Sequence, residues 1–195
     1  MNKPFSQACE NNKAPILSVI SDYFCSGTIL EIGSGTGQHA VHFAKHLRQV
    51  FWQTSDQLHY HDGMKLWLAE YQGDNLGQPF ALDVNQPWPI TRADGVFSAN
   101  TAHIMSWGAV QNMFKGVSDI LQSSGFFCLY GPININGAFT SASNEAFDLS
   151  LRSRDPDMGI RNLEDLQTLA ESHALEFINL HPMPANNVIM VWQKV

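Results

Sequence analysis

The sequence predicts an α/β protein with a mostly parallel sheet that carries helices on both faces. Short apolar runs alternate with helical patterns, which is typical of strand–helix–strand units with right-handed crossovers. A glycine-rich turn follows the first strand, and two further strand-like runs end the chain. Its 195 residues, 44% hydrophobic and 15% charged, suffice for a single packed domain over 1–195.

The strands and helices follow from hydrophobic periodicity. Five apolar runs predict buried strands: TILEIG at 28–33, QVFWQTS at 49–55, PFALD at 79–83, DGVFSAN at 94–100 and GFFCLYG at 125–131. Helical patterns follow the first and second strands and precede the fifth. An amphipathic helix at 162–173 then leads into strand-like runs at 174–182 and 186–195, close enough for a hairpin.

The stretch 132–161 interrupts this alternation after the fifth strand. It fits neither a helix nor a strand over its whole length, so we interpret it as an insertion over the carboxyl edge of the sheet. No internal repeat, low-complexity tract or linker divides the chain.

Charge and composition exclude several classes of function. A net charge of −7 argues against binding along a nucleic-acid backbone, which depends on Lys and Arg. The apolar runs fall short of the roughly 20 residues of a membrane span, and the polar N-terminus lacks secretory or transit character. We therefore expect a cytoplasmic protein without nucleic-acid or membrane partners. The widely spaced Cys9, Cys25 and Cys128 predict reduced thiols.

The turn LEIGSGTGQH, residues 30–39, is the strongest functional signal. In an open parallel sheet the first strand-to-helix turn is a usual ligand site. A dinucleotide fingerprint, GxGxxG, requires a third glycine where this chain has Gln38. A carboxylate at Glu31 would repel a pyrophosphate but suit an amino group. We therefore expect Gly33, Gly35 and Gly37 to make room for an adenosyl amino acid.

This motif resembles the first motif of the class I S-adenosylmethionine-dependent methyltransferases. The resemblance implies a Rossmann-like fold: a seven-stranded, mostly parallel sheet with an antiparallel C-terminal strand and helices on both faces. It implies S-adenosylmethionine as the methyl donor, with an acid ending the second strand for the ribose hydroxyls and another after the third for the adenine amino group. The matching donor-binding residues are Glu31, Gly33, Ser34, Gly35, Gly37, Asp56, Asp83, Val84 and Asn100.

Each acid also has a possible structural role. Glu31 can partner a helix terminus, Asp56 can cap the following helix, and Asp83 can belong to a turn before Pro87. Three acids at three successive strand ends nevertheless favour the donor site.

A closer resemblance covers almost the whole chain. The segments NTAHIMSW, LYGPININGAFTSASNEAFDLSLRSRDPDMGIRNLEDL and MPANN are similar to an uncharacterised bacterial methyltransferase family related to a human methyltransferase-like protein. The candidate acceptor-binding residues that match are Asn144, Asp148, Arg152, Arg161, Asn186 and Asn187. The chain departs from the family pattern at Asn11, where Arg is usual, and at Asn162, where Asp is usual.

Two residues are candidates for the chemistry itself. Because His103 follows the fourth strand by a few residues, it can serve as a general base near the transferable methyl, or it can be a capping or core histidine. Tyr130 ends the fifth strand and can face the same crevice, or it can pack as an aromatic plug on Pro132.

The arginines allow two interpretations. Arg152 and Arg161 can grip an acidic acceptor through a bidentate guanidinium, or belong with Arg154 to a solvated, salt-bridged loop. His39, His42 and His46 share a helix face, but no Cys or carboxylate completes a metal set, so we expect no metal.

The sequence thus predicts methyl transfer to a small-molecule acceptor and leaves a protein acceptor open. The alternatives are a non-catalytic S-adenosylmethionine-binding protein and a nicotinamide-dependent oxidoreductase, against which Glu31 and Gln38 count.

Overall fold

The computed structural model describes residues 2–195 as a seven-stranded sheet, a three-stranded sheet and flanking helices. In chain order the elements are α1 (Gln7–Ile20), β1 (Gly27–Ile32), α2 (Gln38–His46), β2 (Val50–Asp56), α3 (Leu58–Leu68), β3 (Leu76–Ala81), β4 (Ala93–Ala99), α4 (Trp107–Ile120), β5 (Leu121–Gly131), β6 (Ile133–Ile135), β7 (Ala138–Phe139), α5 (Ala142–Arg154), β8 (Arg161–Asn162), α6 (Leu163–Glu171), β9 (Leu175–Met183) and β10 (Asn187–Lys194). A 3₁₀ turn, Pro184–Asn186, joins the last two strands.

The large sheet has the strand order β3-β2-β1-β4-β5-β10-β9. The first five strands in this order pair in parallel, and β10 is antiparallel to both of its neighbours. The predicted seven-stranded sheet is therefore confirmed. The strand order reverses between β1 and β4, and this reversal opens a crevice beyond their carboxyl ends.

Two strands differ in extent from the prediction. β3 covers 76–81 rather than 79–83, because the edge strand begins before Pro79, where Leu76 and Gly77 pair with β2. β5 starts at 121 rather than 125, since a register shift against β4 lets Leu121 pair with Ala93 before the apolar run begins. Asp83 consequently lies two residues beyond the end of its strand.

Each face of the sheet is covered by its own apolar core. On one face Ile29 and Phe97 pack with α1 and α2, around the buried Trp52 and Phe43. On the opposite face Leu30 packs with α4, α6 and other apolar residues of the sheet. Alternate residues of β1 thus enter opposite cores, as expected for a strand buried on both faces.

The segment 132–161 builds the small sheet and α5. β6 follows β5 almost directly and pairs with β7 and β8, in the order β7-β6-β8. Ser141 caps α5, because its hydroxyl accepts the N–H of Asn144 at 3.1 Å. Across residues 2–195, the helices are too short or too polar for any of them to traverse a lipid bilayer.

Candidate functional site

A cavity of about 550 Å³ lies beyond the carboxyl ends of β1, β2 and β4, at the reversal of strand order. It adjoins a second cavity of about 270 Å³, and Gly33 and Asp56 line both. The candidate donor-binding residues that line one or both are Gly33, Ser34, Gly35, Asp56, Asp83, Val84 and Asn100. The sequence-predicted donor site is therefore largely brought together in one crevice.

The three glycines of the turn have left-handed backbone angles, with φ of +74° at Gly33, +55° at Gly35 and +85° at Gly37. A Cβ at Gly33 would lie 2.6 Å from Cγ2 of Thr101, and one at Gly37 would lie 2.9 Å from Cγ of Met64. At Gly35 the space is open. Protein side chains thus crowd the Cβ positions of two of the three glycines, and the expectation that all three make room for a ligand stays a prediction.

Glu31 lies beneath the turn and does not line either cavity. Its side chain is 1% exposed, and Oε2 accepts hydrogen bonds from the Ser34 hydroxyl at 2.8 Å and the Trp52 indole at 3.0 Å. Burial raises its pKa to about 7, although these two bonds oppose the shift. Glu31 therefore supports the turn through Ser34, whose hydroxyl also accepts the Ser55 N–H.

Asp56 ends β2 at the junction of the two cavities. Its carboxylate accepts the N–H of Gly35 at Oδ2 and that of Gln57 at Oδ1, each at 2.7 Å. Burial nevertheless raises its pKa above the ordinary value, and the two backbone donors oppose this rise. A carboxylate held in this way can accept further hydrogen bonds from a diol, because each oxygen has more than one acceptor site.

The smaller cavity combines apolar side chains with polar groups and two acids, Asp56 and Asp83. Ile32, Leu82 and Val84 supply the apolar surface, and Asp83 lines the same space. The Asp83 carboxylate also accepts the N–H of Asn85 at 2.9 Å, so the predicted turn role is present beside the predicted site role. A flat aromatic base with an exocyclic amino group is chemically suited to such a lining.

The loop after β4 forms another wall of the larger cavity. Asn100 has a left-handed φ of +59° and its N–H donates to the carbonyl of Tyr130 at 2.9 Å. His103 is 6% exposed and lines the cavity. Its ring packs edge-to-face against Phe147, with the two ring centroids 5.2 Å apart. Within residues 2–195, neither nitrogen of this ring forms a hydrogen bond. Burial, with lesser effects from Arg161 and Arg154, lowers its pKa to about 4.

Tyr130, the second catalytic candidate, is not placed at the cavity. Its side chain is buried in the core between the sheet and α1, next to Phe97 and Ile189. The alternation of side chains along β5 turns it towards that face. Burial raises its pKa, and a hydrogen bond from Asn12 opposes the rise.

The arginines are engaged away from the cavity. Arg161 donates to the backbone carbonyls of Ala102 at 3.0 Å, Met105 and Asp157 at 3.1 Å. Arg152 Nε donates to the buried carboxylate of Asp148 at 2.7 Å. The same carboxylate accepts the N–H of Ile160 at 2.7 Å.

A further cavity, of about 650 Å³, is lined by Arg152 and Arg161 together with Trp107 and Asp165. It is larger than the crevice at the strand ends, but it contains none of the glycine turn or the candidate donor-binding acids. We therefore assign the candidate site to the crevice, on the chemistry of its lining rather than on size.

The predicted acceptor-binding asparagines connect α5 to the turn between β9 and β10. The Asn144 amide donates to the carbonyl of Asn186 at 3.0 Å, and the Asn186 amide donates to the Ser143 hydroxyl at 3.1 Å. Asn187 bonds the carbonyls of Pro184 and Ala185 within the turn. None of the three lines the crevice.

The N-terminal segment is a wall of the cavity that the sequence did not predict. Ser6 and Cys9 line the cavity, and Gln38 bonds both backbone groups of Ser6. Earlier in the segment, the carbonyl of Pro4 accepts the Trp67 indole N–H at 2.6 Å. The available signal was Gln38, a large polar residue where a dinucleotide fingerprint has glycine.

The three helix histidines do not converge on one point. The Nε2 of His39 is 2.7 Å from the Asn12 amide oxygen, whereas the ring centroids of His42 and His46 are 4.4 Å apart. Throughout residues 2–195, no three His, Cys, Asp or Glu side chains are arranged to hold a metal ion.

Several solved structures with a similar fold are methyltransferases. An O-methyltransferase family protein from Burkholderia thailandensis matches with a TM-score of 0.83 and 12% identity, over 96% of this chain and 57% of that chain. Human N-acetylserotonin methyltransferase in complex with SAM matches with a TM-score of 0.81 and 12% identity, over 96% of this chain and 53% of that chain. An O-methyltransferase family 2 protein from Planctomyces limnophilus in complex with apigenin matches with a TM-score of 0.80 and 16% identity, over 96% of this chain and 60% of that chain.

The chain thus spans a little more than half the length of these structures. At this low identity the likeness shows the fold, and the predicted class I methyltransferase fold is confirmed. A family model described as "Protein of unknown function (DUF938)" matches residues 3–194 of the sequence. The chain therefore belongs to the DUF938 family.

Proposed function

We propose that this protein is an S-adenosylmethionine-dependent methyltransferase that acts on a small-molecule acceptor. The observation that carries the proposal is the junction at Asp56, where a carboxylate lies between an open glycine backbone and a cavity lined by Ile32, Leu82 and Val84 together with Asp83. The shared fold of the methyltransferase structures supports it.

The residues of the crevice fit the donor part by part. Asp56 would accept the ribose hydroxyls, Asp83 would accept the adenine amino group, and Val84 would contact the ring. The open backbone at Gly35 would adjoin the amino-acid portion, beside Ser34 and Asn100. When bound, S-adenosylmethionine would supply a methyl group that is activated by its positively charged sulfur. S-adenosylhomocysteine, with a neutral sulfur, is the leaving group when an acceptor atom takes the methyl.

The protein's main contribution is to orient the acceptor and exclude water, since the transferred carbon is already activated. His103 would hold the acceptor, since its ring lines the larger cavity. With a pKa of about 4 its ring is neutral at physiological pH, so a lone pair is available to an acceptor hydroxyl or N–H. The low pKa also makes it a weak base, so we infer that it orients the acceptor more than it removes the proton.

Thermal unfolding with S-adenosylhomocysteine tests donor binding. At 100 times the dissociation constant, the ligand stabilises the native state by about 2.7 kcal/mol, which should raise the midpoint by roughly 5 to 11 °C. Asp56→Ala should remove most of this shift. Asp119→Ala is the matched control, because Asp119 forms an exposed ion pair with Lys115.

The alternatives give different results in the same experiments. A shift with NADH but not with S-adenosylhomocysteine would favour the oxidoreductase and reject the proposal. A shift with S-adenosylhomocysteine, without transfer of labelled methyl from S-adenosylmethionine to any small molecule of a cell extract, would favour a non-catalytic binding protein.

A further inference from the structure

We propose that the methyl acceptor is an uncharged molecule with a flat apolar body and a hydroxyl or N–H group directed at His103. This inference rests on the proposed function and specifies the substrate class of the same site. It replaces the sequence-based expectation of an acidic acceptor gripped by Arg152 or Arg161.

The charges around the larger cavity argue against an acidic acceptor. Among the described residues that line it, Asp56 is the sole Asp, Glu, Lys or Arg. The guanidinium of Arg161 is committed to backbone carbonyls, and Arg152 is paired with Asp148. An acceptor carboxylate buried in this cavity would therefore have no lysine or arginine of the lining to pair with, and burying an unpaired carboxylate is strongly unfavourable.

The rim of the cavity carries exposed apolar side chains. Tyr60 and Ile104 are each 46% exposed, Phe147 is 38% exposed, and all three line this one cavity. Apolar side chains that are exposed together commonly mark a ligand site, because a ligand that covers them gains hydrophobic free energy. A flat apolar body would be covered by the same surfaces.

One polar side chain interrupts this apolar wall. The His103 ring is nine-tenths buried, contacts Phe147 edge-to-face, and has no hydrogen-bond partner within residues 2–195. The unbonded ring nitrogens are not among the fully buried polar atoms of the described residues, so they remain accessible, and an acceptor hydroxyl or N–H in the cavity can form a hydrogen bond with one of them. One polar group on an otherwise apolar molecule matches this lining.

Binding of two matched probes to the protein saturated with S-adenosylhomocysteine tests the inference. 2-Naphthol has the flat body and the hydroxyl, and 6-hydroxy-2-naphthoate adds a carboxylate to the same rings. We expect 2-naphthol to bind at least about tenfold more tightly in titration calorimetry, because tenfold corresponds to about 1.4 kcal/mol and burying an unpaired carboxylate costs more.

Variants test whether the apolar side chains of the cavity rim cause the preference for 2-naphthol over the naphthoate. Phe147→Ala should weaken 2-naphthol binding about tenfold, whereas Phe139→Ala should leave it unchanged. Phe139 is a close control, since it is 39% exposed in the same segment and does not line the cavity. Ile104→Lys should shift the preference towards the naphthoate.

The outcomes separate this inference from the proposed function. If S-adenosylhomocysteine binds but the naphthoate binds as tightly as 2-naphthol, the acceptor class is wrong and donor binding stands. Loss of naphthoate binding in Arg154→Ala would then identify the cation responsible. No binding of 2-naphthol, or equal effects of the two phenylalanine variants, would also overturn the inference. Failure of S-adenosylhomocysteine to bind would overturn both proposals.

Discussion

The side-chain amide of Gln38 bonds both backbone polar groups of Ser6. Its Oε1 accepts the Ser6 N–H at 2.6 Å, and its Nε2 donates to the Ser6 carbonyl at 3.3 Å. Gln38 is buried at the start of α2, and Ser6 caps α1 through its bond with the Cys9 N–H. A single side chain therefore connects the glycine turn to the N-terminal wall of the cavity.

Gln38→Ala should weaken donor binding by loosening this wall. Two hydrogen bonds to the backbone are lost, each worth about 1 kcal/mol. If the segment is docked in a smaller fraction of molecules, the apparent affinity falls by that fraction. We expect the dissociation constant of S-adenosylhomocysteine to rise about three- to tenfold in calorimetry, with faster hydrogen exchange over residues 3–9.

Gln53→Ala is the matched control for this variant. Gln53 is also buried and donates to the backbone carbonyls of Thr54 and Gln78, but it does not line the cavity. It should lower the unfolding midpoint without changing the affinity. An equal loss of affinity in both variants would show that Gln38 acts through general stability alone.

The main sheet and two of the three candidate donor-binding acids could be predicted because they depend on local pattern. Apolar runs and strand-end acids can be recognised one element at a time, and the topology of a parallel sheet brings the strand ends together. Asp56 and Asp83 accordingly line the crevice, whereas Glu31 lies beneath the turn. The start of β3 was missed, since an edge strand needs no continuous apolar run.

The roles of the later polar residues could not be predicted, because they depend on partners far away in sequence. Arg161 is paired with carbonyls in the 102–105 loop, and Asn144 with the turn at Asn186. Tyr130 was expected to face the crevice or to pack on Pro132, and its place in the core follows from the register of β5, in which a shift of one residue reverses the face. Nothing in the spacing of these residues indicates such pairings.

Gly33→Ala should destabilise the protein through a clash with Thr101. The new Cβ would lie 2.6 Å from the Thr101 Cγ2, in a backbone conformation that also disfavours a side chain. Thr101→Ser removes that methyl and keeps the hydroxyl, which is 2.7 Å from the Ser98 hydroxyl. In denaturant unfolding, the double variant should recover part of the loss, with a coupling of about 0.5–3 kcal/mol. Strict additivity of the two changes would contradict the steric explanation.

Glu31→Gln should change how stability depends on pH. Because the folded-state pKa of Glu31 is raised from the ordinary 4.5 to about 7, the folded protein binds more protons than the unfolded chain between these values. The contribution of Glu31 is therefore present at acid pH and is lost as the pH rises towards 7. We expect the free energy of unfolding of the wild type to fall, relative to Glu31→Gln, by up to about 3 kcal/mol across this range.

Three histidines act in the opposite direction but cancel in this comparison. The pKa values of His39, His42 and His103 are lowered to about 4, so their contribution to stability grows as the pH rises from 4 to 6.5. All three residues are present in the wild type and in Glu31→Gln. Parallel stability curves for the two proteins would rule out a raised pKa at Glu31.

Variants of Arg161 should separate two effects of this residue: its positive charge near His103, and its hydrogen bonds to the loop that carries His103. Arg161 bonds the carbonyls of Ala102 and Met105, on either side of His103, and its charge contributes to the lowered pKa of that ring. Arg161→Ala removes both effects. It should destabilise the protein by about 1–3 kcal/mol and raise the pKa of His103, measured from its ring resonances by NMR.

Arg161→Lys keeps the charge but cannot reproduce the planar fork of donors. It should lose stability like Arg161→Ala while the pKa of His103 stays close to its wild-type value. Arg92→Ala is the control, since Arg92 is largely exposed and pairs loosely with Asp94 at 3.8 Å. If both Arg161 variants raise the pKa equally, the loop geometry rather than the charge depresses it, because the lysine would still supply the charge.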